Sequence, residues 1–211
     1  MAYFTGVLLK GAVVAVEITA GALVVAVVLG LALAILRSFR VPPIVWLIDT
    51  YVEIFRTIPP LSQLFIIYFG LTYIGLEFDS VTAAIVGLGL NGGAVLCEVF
   101  GSGIQALHHG QREAALSVGL TPLQALRHII LPQALRITAP PLANYSVNLL
   151  KETSIVAAIA APEIMFYARM LTTETFQTAT IYLLAAILYF CLCFPLTRVA
   201  NRLEQARRSW Q

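Results

Sequence analysis

The stretch ITAGALVVAVVLGLALAIL, Ile18 to Leu36, is nineteen residues long and contains no charged side chain. A helix that crosses a hydrocarbon core of roughly 30 Å needs about 20 predominantly apolar residues. This stretch therefore predicts a transmembrane helix. The composition agrees, because 59% of the 211 residues are hydrophobic and only 11% are charged, whereas soluble domains carry about 25% charged residues.

Similar apolar segments recur along the chain, so we expect an all-α integral membrane protein with about five transmembrane helices. The predicted spans, including the first, are residues 12–36, 58–76, 80–104, 137–160 and 176–198. Glu98 interrupts the third of them, and Lys151 with Glu152 interrupts the fourth. Five such spans with their loops make residues 1–211 a single domain.

Ten of the thirteen Lys and Arg residues fall on one side of the membrane if the chain crosses it five times. They lie in the loops after spans one and three and in the C-terminal tail: Arg37, Arg40, Arg56, Arg112, Arg127, Arg136, Arg198, Arg202, Arg207 and Arg208. Because cytoplasmic segments are enriched in Lys and Arg, we expect the N-terminus outside and the C-terminus in the cytoplasm. The net charge of +2 is too small to indicate nucleic-acid binding.

The segment Val41 to Phe55 follows the first span and is amphipathic, with Asp49 and Glu53 among apolar side chains. Such a helix can lie in the plane of the membrane interface with its apolar face in the lipid. We expect it to lie along the inner interface and to turn into the second span at Pro59 and Pro60, because proline interrupts helical hydrogen bonding.

Between the third and fourth spans stands a half-polar stretch, EAALSVGLTPLQALRHIILP, Glu113 to Pro132. Gln111 to Val118 contains good helix formers, and Gly119 stands where a left-handed residue commonly ends a helix. Thr121 can cap a second helix through its hydroxyl group, and Pro122 suits the first helical position.

We expect this second helix to run from Pro122 to about Ile130, and Pro132 to discourage its continuation. Its residues Leu123, Leu126 and Ile130 would share one face. The pattern alone leaves two interpretations open. The two helices form either an ordinary loop on the membrane surface or a rigid docking element for a soluble partner.

This bent element, residues 108–136, is called the elbow below, and it carries a resemblance to a known family. The positions that resemble the cytoplasmic EAA signature of ABC importer permeases are Glu113, Ala114, Ala115, Gly119, Ile129, Leu131 and Pro132. Other segments are similar to the polar amino-acid uptake branch of that family: FRTIPPLSQLF (Phe55 to Phe65), AVLCE (Ala94 to Glu98) and LPQALRITAPPLANYSVNLLKETS (Leu131 to Ser154).

The resemblance implies the permease subunit of an ATP-driven importer for amino acids or closely related polar solutes, in the bacterial inner membrane. It implies that the elbow contacts a separate ATP-hydrolysing subunit through Glu113, Ala114, Ala115, Gly119, Thr121, Pro122, Leu123, Leu126, Arg127, Ile129, Leu131 and Pro132. The expected partners are two copies of that ATP-binding subunit, a second permease that is identical or related, an extracytoplasmic solute-binding protein and membrane lipid. The partner would use ATP and Mg, and this chain, which has no GxxxxGK[ST] phosphate loop, would bind no cofactor.

Polar side chains within or beside the predicted spans are costly and are therefore candidates for function. We assign the following residues to a candidate solute pathway: Glu53, Gln63, Asn91, Glu98, Asn144, Asn148, Lys151 and Glu152. Within this set, Asn144, Asn148 and Glu152 recur every four residues and form one polar stripe on the fourth span.

Hydrogen bonds between helices are the alternative role for Asn91, Asn144 and Asn148. For Glu98 and Glu152 we expect either a water-filled cavity or a partner on another helix, because an unpaired carboxylate in lipid costs at least about 2.5 kcal/mol. Three glycines of span three would allow a second helix to approach closely: Gly87, Gly89 and Gly93.

Two other functions compete with that of an importer subunit. An ion-driven secondary transporter would show inverted repeats and discontinuous helices, and the sequence has no convincing internal repeat. An intramembrane enzyme would need a nucleophile with an adjacent base, or a set of metal ligands. Ser117, Ser154 and Cys97 have no such neighbours at a suitable spacing.

Overall fold

The computed structural model describes residues 2–107 and 109–208, and every regular element within these ranges is helical. The predicted all-α fold is therefore confirmed. The helices are α1 (Ala2–Ser38), α2 (Pro42–Thr57), α3 (Pro60–Phe65), α4 (Ser80–Gln105), α5 (His109–Ser117), α6 (Pro122–Ala125), α7 (Leu131–Glu152), α8 (Ile164–Thr175) and α9 (Thr178–Arg208). His108, at the first position of the elbow, lies outside the described residues.

Two of the helices are extended by irregular turns. A π-helical turn and a 3-10 turn continue α3, so that the helix runs over Pro60–Ile74. Likewise, α6 passes through a π-helical turn into α7 and a final 3-10 turn, so that one helix runs over Pro122–Ile159.

In the described part of the chain, three helices are long and apolar enough to cross a membrane: Tyr3–Ser38, Ser80–Gln105 and Thr178–Ala206. Two bent pairs also qualify when each pair is taken as one span. The bend between Pro42–Thr57 and Pro60–Ile74 is 104°, and the bend between Pro122–Ile159 and Ile164–Thr175 is 49°. The fold therefore provides three to five crossings.

The centre of the bundle is the contact between α1 and α4, the most extensive helix pair in the molecule. Small residues allow it: a Cβ atom at Gly89 would lie 2.7 Å from Val25, and one at Gly93 would lie 2.7 Å from Leu29. The prediction that glycines of span three allow a close helix approach is confirmed. The opposite side of α1 exposes valines such as Val24 and Val28, as a lipid-facing surface does.

A second buried cluster joins the start of α1 to α7, α8 and α9. Glu163, which is fully buried, lies beside it and accepts hydrogen bonds from the N–H groups of Met165 and Phe166 at 2.9 Å each. The hydroxyl group of Tyr189 on α9 donates to the same carboxylate at 2.6 Å. One buried side chain thus caps α8 and connects it to α9.

Candidate functional site

The first helix of the elbow ends in a fully formed C-terminal cap. The N–H of Gly119 donates to the carbonyl of Leu116 at 3.0 Å, and the N–H of Leu120 donates to the carbonyl of Ala115 at 3.1 Å. These two bonds define a Schellman motif, which requires a left-handed residue. Gly119 has φ of 87°, as predicted from the sequence. Any residue with a Cβ atom would be strained there.

The second helix of the elbow begins with a capping box. The N–H of Gln124 donates to the Thr121 hydroxyl oxygen at 3.3 Å, and the N–H of Thr121 donates to the side-chain oxygen of Gln124 at 2.9 Å. Pro122 occupies the start of the helix, where its missing N–H leaves no bond unmade. Both predictions for Thr121 and Pro122 are confirmed, and the capping box begins at the residue after Leu120, the last residue of the Schellman motif.

The expectation that Pro132 would discourage continuation of this helix is wrong, because the helix runs on to Ile159. A proline ring normally clashes with the carbonyl four residues earlier, here that of His128. The π-helical turn Leu126–Ile130 stands immediately before it, and the N–H of Leu131 donates to Leu126, five residues back. This wider turn accommodates the proline ring without breaking the helix.

One part of the elbow is buried, where α5, α6 and the π-helical turn pack against one another, and the other part is exposed. Ala115 and Leu126 are buried, and Ile129 and Leu131 are half-buried. The other predicted coupling positions are exposed: Glu113, Ala114, Gly119, Thr121, Pro122, Leu123, Arg127 and Pro132. Leu123 therefore does not share the environment of Leu126 and Ile130, although the helical spacing places the three on one face. Val118 and Leu123 are 77% and 62% exposed, so the elbow presents apolar side chains outside the bundle.

Glu98 has a partner on another helix, which is one of the two alternatives expected from the sequence. The Arg37 Nη1 atom at the end of α1 donates to Glu98 Oε1 at 2.6 Å. The Arg37 Nη2 atom lies 2.8 Å from Asp49 Oδ1 on α2, an ionic contact without hydrogen-bond alignment. Arg37 therefore joins three helices at the elbow end of the bundle. Glu53 lies nearby and lines a cavity of about 340 Å³ that Arg37 and Asp49 also line.

Gln63 and Asn91 stabilise the bend between α2 and α3. The bend leaves carbonyl groups near the end of α2 without helical partners, and Gln63 Nε2 donates to those of Phe55 and Ile58 at 2.8 Å each. Asn91 Nδ2 donates to Phe55 at 2.8 Å and to Gln63 Oε1 at 3.3 Å. Asn91 therefore forms hydrogen bonds between helices, which is the alternative role that the sequence left open for it.

The polar stripe on α7 lies on the surface of the chain. Asn144, Asn148 and Lys151 are exposed, and Glu152 is half-buried. Among the described residues, none of these four side chains has a hydrogen-bond or ion-pair partner.

Tyr145 lies beside the stripe and was missed by the sequence analysis. Its hydroxyl group is buried against Gly92 on α4, with no hydrogen-bond partner in the described part of the chain.

The fold and the elbow together define a class: a polytopic membrane protein that presents a capped, partly apolar helical element outside its apolar bundle. The chain belongs to the family of inner membrane components of binding-protein-dependent transport systems, whose sequence model matches residues 26–209. The resemblance to ABC importer permeases is thereby confirmed, and the alternatives of an ion-driven transporter and of an enzyme are not supported.

Individual relatives agree with the family. The chain is 40% identical over 178 residues to the probable amino-acid ABC transporter permease protein YckA of Bacillus subtilis, covering 84% of this chain and 79% of the relative. It is also 40% identical over 178 residues to the probable glutamine ABC transporter permease protein GlnM of the same organism, with 84% and 82% covered. A crystal structure of an amino acid ABC transporter with histidines matches with a TM-score of 0.89 at 30% identity, covering 98% of this chain and 96% of that one.

Proposed function

We propose that the chain is the permease subunit of an ATP-driven importer for amino acids or closely related polar solutes. The observation that carries the proposal is the continuous helix Pro122–Ile159, which contains both the second helix of the elbow and the polar stripe of α7. A force applied at Pro122 reaches Asn144 and Asn148 without crossing a loop. The names of the relatives support the solute class, because they are amino-acid and glutamine permeases.

Membership of the ABC importer permease family implies an ATP-hydrolysing partner and a second permease in the complex. The apolar residues Val118 and Leu123 are exposed in the single chain. Contact between the elbow and the ATP-hydrolysing partner would remove them from water, which favours such a contact. This contact would use the exposed members of the predicted coupling set. Two copies of the ATP-binding subunit and an extracytoplasmic solute-binding protein complete the proposed assembly, and the ATP-binding subunits use ATP and Mg.

The solute pathway lies between the two permeases in this proposal. The α7 stripe is exposed on a single chain, and exposed amides and charges are costly against lipid. A second permease or water would therefore cover it. The amides of Asn144 and Asn148 can donate to the carboxylate of an amino acid, and Glu152 can accept from its ammonium group. Gln63 and Asn91 support this pathway by fixing the bend between α2 and α3.

The proposed orientation places the elbow and the C-terminus in the cytoplasm and the N-terminus outside. It rests on the concentration of Arg residues at the elbow end, where Arg37, Arg40 and Arg127 lie. In this orientation the elbow faces the compartment that contains ATP.

The proposal is tested by replacing Gly119 with valine in the complex reconstituted with its ATP-hydrolysing partner. Valine in the left-handed region is strongly disfavoured, so the bend between α5 and α6 should change. We expect the partner to hydrolyse ATP while the rate of uptake of labelled amino acid falls by roughly tenfold, which corresponds to about 1.4 kcal/mol of activation free energy. Uptake and ATP hydrolysis are measured on the same proteoliposomes.

The matched control is Gly110→Val, on α5 of the same elbow. A Cβ atom at Gly110 would meet no other atom within 4 Å, and its backbone is not left-handed. This variant should transport normally. If the Gly119 variant also transports normally, or if the ATP-hydrolysing subunit does not co-purify with the wild-type chain, the proposed coupling role of the elbow is wrong.

A further inference from the structure

A cavity of about 320 Å³ lies between the elbow and the C-terminal ends of α1 and α4. Arg37 and Arg40 are the charged residues of its lining, and Ser38, Gln105 and Gln111 add polar groups. The volume is within the range of about 300 to 1,000 Å³ that is typical of small-ligand sites. The cavity is therefore large enough for a small ligand and has donors suited to an anion.

A second cavity, of about 510 Å³, continues the first toward α2. It shares Arg37, Arg40 and Gln105 with the first cavity and reaches Trp46 and Asp49. Because three lining residues are common to both, the two cavities form one groove. We call it the α1-end groove.

Arg40 is the arginine of this groove whose guanidinium group has no ion-pair partner among the residues that the structure describes. Arg37, by contrast, contacts two carboxylates, those of Glu98 and Asp49. Arg40 has φ of 56°, which is uncommon for a residue other than glycine. Its N–H donates to the carbonyl of Arg37 at 3.1 Å. The guanidinium fork of arginine matches the oxygens of a phosphate group.

The second cavity also has apolar lining residues from α2. Val45 is half-buried and Trp46 is 67% exposed. Tryptophan is enriched at the level of lipid headgroups. A ligand of this groove would thus meet an arginine and amides in the first cavity and apolar side chains of α2 in the second.

We propose that the α1-end groove binds an anionic phospholipid, with the phosphate of its headgroup at Arg40 and its acyl chains along Val45 and Trp46 of α2. Basic pockets at the ends of transmembrane helices bind such headgroups. The apolar lining distinguishes a lipid from a free phosphate ion, which would gain nothing from contact with Val45 or Trp46. Gln111 of the elbow also lines the groove, so the bound lipid contacts both the bundle and the elbow.

The test measures lipid binding to the purified full chain by native mass spectrometry in mixed micelles titrated with phosphatidylglycerol. Replacing Arg40 with glutamine should weaken phosphatidylglycerol binding about fivefold, the factor that corresponds to about 1 kcal/mol for one arginine near a membrane surface. Phosphatidylcholine binding should be weak and unchanged. Arg40→Lys retains the charge and should retain most of the affinity.

The matched control is Arg202→Gln, which removes an exposed arginine from α9 that lines neither cavity. Its affinity for phosphatidylglycerol should equal that of the wild-type chain. Equal losses in the Arg40 and Arg202 variants would overturn the proposal in favour of general surface charge. Competition by inorganic phosphate at the same concentrations would overturn it in favour of a simple anion site. Neither outcome depends on transport, so the result is independent of the proposed function.

Discussion

Arg37 shows how a single residue compensates charge at the end of an apolar bundle. A carboxylate within a transmembrane helix costs at least about 2.5 kcal/mol when it is unpaired. Glu98 avoids this cost because Arg37, 61 residues earlier in the chain, donates to it at 2.6 Å. Asp49 contacts the same guanidinium group from α2. The three side chains are 30% to 45% exposed, so water weakens the interaction.

Replacing Glu98 with glutamine should lower the stability of the chain modestly. Partly exposed ion pairs contribute about 0 to 1 kcal/mol, so we expect a loss of about 1 kcal/mol or less. The thermal unfolding midpoint in detergent at low salt should fall, and high salt should reduce the difference from the wild-type chain.

Glu53→Gln is the control for this prediction. Glu53 is exposed and has no ion-pair partner among the described residues. Its replacement should leave the midpoint unchanged. If Glu98→Gln and Glu53→Gln have the same effect, the contact between Arg37 and Glu98 does not contribute to stability.

At the scale of single elements, the start of α4 depends on one exposed side chain. Asp79 Oδ1 accepts hydrogen bonds from the N–H groups of Val81 at 3.0 Å and Thr82 at 3.1 Å. Together with the hydroxyl group of Thr82, the first contributor, these bonds hold the pKa of the Asp79 carboxyl group below its usual range. The ionised carboxylate is therefore favoured in the folded chain relative to the unfolded one.

The cap should consequently weaken in acid. A group whose pKa is lower in the folded state contributes fully above its unfolded pKa, about 3.9 for Asp. Its contribution is lost as the pH falls through the folded pKa. Asp79→Ala should cost about 1 kcal/mol at neutral pH, measured from the thermal midpoint.

Asp79→Asn removes the charge of the capping side chain and keeps its hydrogen-bond acceptor. Asparagine caps helices about as well as aspartate, so this variant should resemble the wild-type chain at pH 7. It should lose less stability than the wild-type chain as the pH falls below about 4, where the aspartate becomes protonated. Parallel pH dependence of the two proteins would contradict the assigned role of the Asp79 carboxylate.

The elbow is a second element, and its geometry follows from the two caps at its bend. The Schellman motif at Gly119 and the capping box at Thr121 fix both sides of a very short connection. The π-helical turn before Pro132 then continues the second helix into α7. A displacement of the elbow is therefore transmitted along a helix and is not absorbed by a loop.

At the scale of the whole molecule, a single chain leaves polar side chains of α7 exposed on its surface. Asn144, Asn148 and Lys151 are exposed on α7 without hydrogen-bond or ion-pair partners in the described part of the chain. An aqueous pathway between two permeases would place these side chains in water. The valines on the outer side of α1 are also exposed, and they suit contact with lipid.

A charged, membrane-impermeant maleimide tests this difference. In a chain whose three native cysteines are replaced by alanine, Asn148→Cys should react roughly tenfold faster than Val28→Cys, because thiolates form in water and not in lipid. Both side chains are exposed in the single chain. Labelling is measured in the assembled complex. Equal rates, or a faster reaction at position 28, would show that the α7 stripe does not face water.

The sequence by itself determined the membrane fold and the caps on both sides of the bend in the elbow. Span length, the cap at Gly119 and the capping box at Thr121 depend on residues within a few positions of one another, so the local pattern contains the information. The family was also evident from the sequence, because the EAA signature lies within twenty residues, Glu113 to Pro132.

Only the tertiary structure decided which polar residues have partners. Arg37 and Glu98 are 61 residues apart, and Asn91 and Phe55 are 36 apart, so their contacts depend on helix packing. The burial of Glu163 against Tyr189 was missed for the same reason. The continuation of the helix past Pro132 was also decided by the tertiary structure, where a π-helical turn at Leu126–Ile130 precedes the proline.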